Sequence, residues 1–174
     1  LLDKPEGLTS NAALQKVRRL LGARKAGHTG SLDPLASGLL PLCFGQATKV
    51  CGMLLEANKT YLVTMVLGER TTTGDREGAV IERLPVPELD ADALRRVAAG
   101  FLGESGQIPP MYSALKHEGQ RLYQLARKGM EIERPARRIT LHRMDLLGIE
   151  DHRLKFEIEC SKGTYVRTLA EDFA

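Results

Sequence analysis

Gly27-His28-Thr29-Gly30-Ser31-Leu32-Asp33-Pro34-Leu35-Ala36-Ser37-Gly38 is the segment on which the reading of this chain turns. Twelve residues hold three glycines, three hydroxyls, one imidazole and one carboxylate. No helical or strand period fits them, which predicts a loop. Gly27, Gly30 and Gly38 are expected to supply positive φ or close backbone approach. Pro34 biases Asp33 away from the α region and toward an extended backbone. The loop therefore presents a single acid on a stiff bend. Two uses of such an acid stay open: a turn-capping Asp, or a carboxylate displayed for chemistry.

Regular elements are expected on both sides of the loop. Upstream, Thr9 or Ser10 is placed to cap a helix over 11–21, with Leu14, Val17, Leu20 and Leu21 as its apolar stripe and Gly22 at its end. Lys16, Arg18, Arg19, Arg24 and Lys25 crowd the C-terminal end of that helix. They answer the helix dipole there, or they form a phosphate-contacting patch beside the loop. Downstream, Leu39–Phe44 is a short buried run, and a helix starting near Gln46 should turn Val50, Met53, Leu54 and Leu55 inward. Residues 59–67 are rich in β-branched side chains and predict a strand. Residues 71–78 are a polar loop, and 79–84 a second strand. Asp90 caps a helix carrying Leu94, Val97, Ala98 and Phe101. Residues 104–120 follow no period and include Pro109-Pro110 and an exposed-looking Met111, Tyr112, Lys116 and His117. Residues 120–127 predict a short helix ended by Gly129. Two strand-like runs come next, 139–149 and 154–160. In the second, Leu154, Phe156, Ile158 and Cys160 alternate with Lys155, Glu157 and Glu159, the pattern of a half-buried antiparallel strand. A last helix carries Tyr165, Val166, Arg167 and Leu169. Helices interleaved with antiparallel-type strands predict an α+β fold: a mixed, mainly antiparallel sheet flanked by helices.

Composition bounds the partners. The chain has 174 residues, 43% of them hydrophobic, enough to build a core in one domain or one and a fragment. A formal charge of only +3 does not by itself announce nucleic acid. Cys43, Cys51 and Cys160 have no metal-ligand or disulfide-framework spacing, so reduced thiols in a cytoplasmic protein are expected. No apolar run reaches membrane-spanning length. The chain starts without Met in an apolar segment and stops within a helical pattern, so it is expected to be an excerpt.

The inventory of chemistry is short. There is no nucleophile elbow, no phosphate-binding glycine loop, no dinucleotide fingerprint and no metal-ligand cluster. His28 lies close enough in sequence to pair with Asp33, but a lone loop histidine is more often a hydrogen-bonding residue than a general base. A single carboxylate can act as nucleophile or base toward a sugar carbon. A two-carboxylate glycosidase would need a second acid, and the sequence names none.

At these residues the chain resembles a known family. Gly27–Gly38 resembles the catalytic-Asp motif of the TruB family of tRNA pseudouridine synthases. Leu2-Asp3-Lys4-Pro5, Ala47-Thr48-Lys49, Lys59-Thr60-Tyr61, Ile108-Pro109-Pro110-Met111-Tyr112-Ser113-Ala114-Leu115-Lys116 and Cys160-Ser161-Lys162-Gly163-Thr164-Tyr165-Val166-Arg167 are similar to that family's other landmarks, in its order. The Ile108–Leu115 stretch leans toward the bacterial stand-alone enzymes.

The resemblance implies isomerisation of uridine 55 in the T-loop of tRNA, without cofactor or metal. It implies that Asp33 is the essential carboxylate, that Tyr61 stacks on the target base, and that Arg167 pairs with Asp33 and favours its ionised form. His28, Lys49, Asp75, Tyr165 and Lys4 would line the RNA site, His28 filling the space that a flipped base leaves. Read from the residues alone, Tyr61 is equally a strand aromatic of the core, Arg167 a surface ion-pair residue, and Lys4 with Pro5 a structural support. Residues 107–139, with Lys116, Arg134, Arg137 and Arg138, would be an RNA-clamping insertion in a catalytic domain spanning 1–174. The family's C-terminal RNA-binding domain is absent from this sequence. Thr72 stands where the family often has a second acid, which weakens an RNA-contact role for the loop holding Asp75. The expected partner is the tRNA T-arm. No membrane and no obligate protein partner are implied, and a monomer is expected.

Overall fold

In the computed structural model, which describes residues 1–174, Thr9 caps the first helix as its position predicts: its hydroxyl accepts the amide of Ala12 at 3.1 Å. The chain divides into two units, Leu1–Ala57 and Asn58–Ala174.

The first unit contains strand β1 (Leu2–Lys4), helix α1 (Ser10–Leu20), strands β2 (Ala26–His28), β3 (Gly38–Leu40) and β4 (Leu42–Phe44), a 3-10 turn over Gly45–Val50, and helix α2 (Cys51–Glu56). β1 pairs antiparallel with β3, placing Lys4 opposite Gly38. β2 pairs antiparallel with β4, placing His28 opposite Leu42. The loop over residues 29–37 is thus anchored at both ends by strand pairing. Ala13, Leu14, Leu40 and Cys43 are the buried apolar residues of the unit. Gly38 has φ +121°, where a side chain is strained, whereas Gly27 and Gly30 do not have positive φ. Gly27 answers a close approach instead, since a Cβ there would lie 3.1 Å from Sγ of Cys51.

Three expectations fail in this unit, the first at Leu39, which opens the run expected to be buried and is 65% exposed. Val50, Met53, Leu54 and Leu55 are 41–75% exposed rather than turned inward, and Leu20 and Leu21 are also exposed. Helical spacing identifies an apolar face, but it does not provide an element to cover it.

The second unit begins with β5 (Lys59–Val66), followed by β6 (Glu69–Thr71), β7 (Val80–Arg83) and α3 (Ala91–Gly100). Next come β8 (Gly103–Gln107), the short pair β9 (Lys116–His117) and β10 (Gln120–Arg121), and α4 (Leu122–Ala126). The long hairpin β11 (Arg137–Glu150) and β12 (Arg153–Cys160) leads to α5 (Val166–Phe173). The main sheet runs β5-β12-β11-β8 and is antiparallel throughout. This is the expected α+β arrangement, with α3 and α5 supplying Ala98, Leu169 and Phe173 to the core.

β12 alternates as its sequence predicts. Leu154, Phe156, Ile158 and Cys160 are each 0% exposed, while Arg143 on β11 lies among Asp145, Glu157 and Glu159 on the solvated face. Phe156 meets Phe173 edge-on at 5.2 Å between ring centroids. On β11 the buried positions shift parity, from Ile139 and Leu141 to Met144. An extra residue at His142, between the pairs Leu141↔Cys160 and Arg143↔Glu159, accounts for the shift. The predicted strand over 79–84 is β7, and it pairs only with β6. β8 lies in the stretch where no period is legible: four of its five residues are exposed and only Gln107 is buried. No helix is long and apolar enough to cross a membrane.

Candidate active site

The candidate residues fall into two sets, one in each unit. In the first unit the backbone on either side of Asp33 is held by named partners. The hydroxyl of Ser10, a buried residue, accepts the amide of Leu32 at 2.8 Å and donates to the Leu32 carbonyl at 3.2 Å. The Pro34 carbonyl accepts the Gly7 amide at 2.8 Å and the Lys4 ammonium at 3.3 Å. The Ala36 amide donates to the Asp33 carbonyl at 3.1 Å, closing a turn. Asp33 itself is exposed. It sits on a bend whose backbone is held on both sides.

Lys4 departs from the expectation that it contacts RNA. It is fully buried, and its ammonium also donates to the carbonyls of Leu8 at 2.7 Å and Pro5 at 2.9 Å. A cation with no accessible surface cannot reach a phosphate. Its ammonium ties the Pro34 carbonyl, next to Asp33, to the carbonyls of Pro5 and Leu8. His28 ends β2 and is partly buried, and its Nδ1 is buried with no hydrogen-bond partner. Lys49 is exposed on the 3-10 turn, as an RNA contact needs to be.

In the second unit, Arg167 is held from three sides. Its guanidinium donates to the carbonyls of Thr73 at 2.7 Å and Tyr112 at 2.8 Å, and it lies 3.5 Å from Oδ2 of Asp75. The Arg167 and Asp75 side chains are only 14% and 11% exposed. Asp75 is further fixed by the Thr73 hydroxyl at 2.6 Å and the Glu77 amide at 3.0 Å, both on Oδ1. Gly78 lets this loop close, since a Cβ there would lie 2.8 Å from the Thr73 amide nitrogen. The Asp75 carboxylate thus faces donors inside the protein: the Arg167 guanidinium, the Thr73 hydroxyl and the Glu77 amide.

Tyr61 lies on β5 opposite Ile158 and packs against the core while staying partly exposed. The core-aromatic reading thus describes part of its ring. Tyr165 occupies the N-cap position of α5. The turn before it is tied to β11: Thr140 and Ser161 exchange two bonds of 2.9 Å. Met111 and Tyr112 are half-buried rather than exposed, whereas Lys116 and His117 are exposed. The free thiols are packing groups; burial pushes the Cys160 thiol up, against an opposing hydrogen bond to Thr164.

Sequence reading missed three contributors. Ser10 was legible only as a helix cap, Gln107 was hidden in a stretch without period, and the Tyr112 carbonyl is a main-chain group that no side-chain motif announces.

Comparison with known proteins bears on the fold and the family. The crystal structure of a Cbf5-Nop10-Gar1 complex superposes with a TM-score of 0.73 at 30% identity, over 98% of this chain and 41% of that one. The structure of an H/ACA RNP bound to a substrate RNA containing 2'-deoxyuridine gives 0.67 at 27% identity, over 98% and 40%. The fold is that of the pseudouridine synthases. A family model described as TruB family pseudouridylate synthase (N terminal domain) matches residues 18–166, and the chain belongs to that family. The tRNA pseudouridine synthase B of Nitrosococcus oceani is 59% identical over 172 residues, 99% of this chain and 56% of that protein. The corresponding protein of Methylococcus capsulatus is 58% identical over 165 residues, 95% and 74%. This chain thus spans little more than half the length of the first of these relatives.

Proposed function

We propose that the protein of which this chain is the catalytic part converts uridine 55 of the tRNA T-loop to pseudouridine. The observation that carries this reading is the exposed Asp33 on a backbone locked at Leu32 and Pro34, in a chain of this family. The reaction breaks the N1–C1′ bond of the uridine, rotates the uracil, and joins C5 to C1′. No atom is gained or lost, and the scheme uses no cofactor or metal. Asp33 supplies the carboxylate, as nucleophile at C1′ or as base toward a sugar proton. Arg167 is the cationic residue that the family resemblance assigns to the same step.

A uridine within a folded loop must be flipped out, at a cost of a few kcal/mol, roughly. Stacking on the ring of Tyr61 returns about 1–3 kcal/mol. His28 fills the space the base leaves, while Lys49 and Tyr165 complete the RNA-facing set. Residues 107–139, which run from the last residue of β8 to the first three of β11, clamp the RNA through phosphate contacts. The enzyme works in the cytoplasm as a monomer, with the tRNA T-arm as its partner.

The test is Asp33→Asn in the full-length protein. RNA binding should survive while pseudouridine formation falls below detection. Pseudouridine made at the normal rate would remove Asp33 from the chemistry. Release of free uracil, visible by mass, would replace the isomerase with a nucleoside hydrolase. A wild-type protein that binds RNA and leaves uridine unchanged would be a binding module of the same fold.

A further inference from the structure

The side chain of Gln107 is buried, with 4% of the residue exposed, at the last position of an edge strand whose other residues are open to solvent. Burial of a primary amide is unfavourable unless its donors and acceptor are used. Both ends of this amide bond the same residue. Nε2 donates to the Tyr165 carbonyl at 3.1 Å, and Oε1 accepts the Tyr165 amide at 2.8 Å. The side chain thereby imitates a neighbouring strand, pairing with both polar groups of one residue as a β-ladder does. Tyr165 has an extended backbone, φ −98° and ψ 107°, and caps α5 with no side-chain hydrogen bond of its own.

The clamp owes its importance to the helix that starts at Val166. Arg167 is the second residue of α5, and its guanidinium must meet the Thr73 carbonyl, the Tyr112 carbonyl and Asp75 together. One bond to Tyr165 would fix the position of the helix start and leave its tilt free, whereas two bonds fix both. A guanidinium stands ~6 Å out from its backbone, so a tilt of ~10° displaces it by ~1 Å, and misplacement on that scale costs on the order of 100-fold in rate. The same short segment closes the arrangement from its other end, because the Tyr112 carbonyl holds Arg167 while Gln107 holds Tyr165.

We propose that Gln107 is a positioning residue for the isomerisation: its amide sets the start of α5 and so aims Arg167. The inference rests on the function proposed above. A glutamine that served only to satisfy buried backbone groups would contribute to stability and leave the rate per folded molecule unchanged.

The experiment is a double-mutant cycle in the full-length protein, with Gln107→Met, Arg167→Lys and the double variant. Single-turnover pseudouridine formation and tRNA affinity are measured for each. Q107M keeps the volume and removes both bonds. Its rate should fall by about 10- to 100-fold with affinity within about threefold, and in the R167K background the same change should alter the rate by less than about threefold. An unchanged rate in Q107M overturns the proposal. So does a full loss in both backgrounds, which would mean that Gln107 does not act through Arg167. If Q107M does not fold, Gln107→Asn carries the same cycle, since its amide is one methylene too short to reach both groups. A wild-type enzyme inactive on tRNA would sink the functional reading instead. The clamp would then be judged separately by hydrogen exchange at the Tyr165 amide, which should quicken in Q107M.

Discussion

Substituting Lys4 by Met separates bracing from RNA contact in one experiment. The thioether chain fills most of the lysine's volume, so the change removes an ammonium rather than creating a cavity. Three carbonyls lose a donor, but not equally. Pro34 keeps the Gly7 amide at 2.8 Å, and its bond to Lys4, at 3.3 Å, is the longest of the set. Leu8 and Pro5 lose bonds of 2.7 and 2.9 Å. Leaving a buried acceptor unsatisfied costs about 1–3 kcal/mol. Two such acceptors, partly offset because a charge no longer has to be desolvated, give a net loss of about 2–4 kcal/mol. Urea unfolding of wild type and Lys4→Met reads that difference directly. Titration of tRNA binding against salt reads the other role, since removing one phosphate contact lowers the slope of log K against log salt by about 0.7–0.9. The expected result is a destabilised variant with an unchanged salt slope. Stability within about 0.5 kcal/mol of wild type, together with a slope reduced by one contact, would refute the brace and return Lys4 to the RNA.

The second unit offers sharper kinetic tests. Asp75→Asn removes the charge beside Arg167 but leaves the Thr73 and Tyr112 carbonyls in place, so kcat should fall by about 10-fold or more with little change in KM; a raised KM at constant kcat would make Asp75 an RNA contact after all. Tyr61→Leu should abolish most turnover while weakening tRNA affinity only modestly, as expected when about 1–3 kcal/mol of stacking is needed mainly in the flipped state; normal turnover would confine Tyr61 to the core. Phe156→Ala, at a position with no exposed surface and an edge contact to Phe173, should cost about 3–5 kcal/mol in denaturant unfolding.

What the sequence disclosed was local, and what it concealed was not. The caps at Thr9 and Asp90 were legible because a cap and its partner amides lie within one turn of each other. β12 was legible because period-2 alternation is written in consecutive residues. β8 was not, since a strand exposed on nearly all its positions has no reason to alternate; it is a strand because β11 pairs with it. The β11 bulge likewise appears only once Cys160 and Glu159 show which residues they face. At the site, the motif named Asp33, Tyr61 and Arg167, but spacing could not tell a buried brace from an RNA contact. For Lys4 both readings stayed open, and its ammonium is bonded to the carbonyls of Pro5, Leu8 and Pro34, while the Asp75 carboxylate meets Arg167, Thr73 and Glu77. Gln107 and Tyr165 are joined across a gap that no local pattern spans.

The bonds that fix the bend at Asp33 end on main-chain atoms, those of its two neighbours above all. The main-chain geometry of the bend is therefore set from Lys4, Gly7 and Ser10, outside the loop itself. A substitution at 33 leaves the donor and acceptor of each of these bonds in place. Variants at this one position should therefore keep the bend and, on the function proposed above, be inert, which makes them suitable baits for capturing bound RNA before any bond is broken.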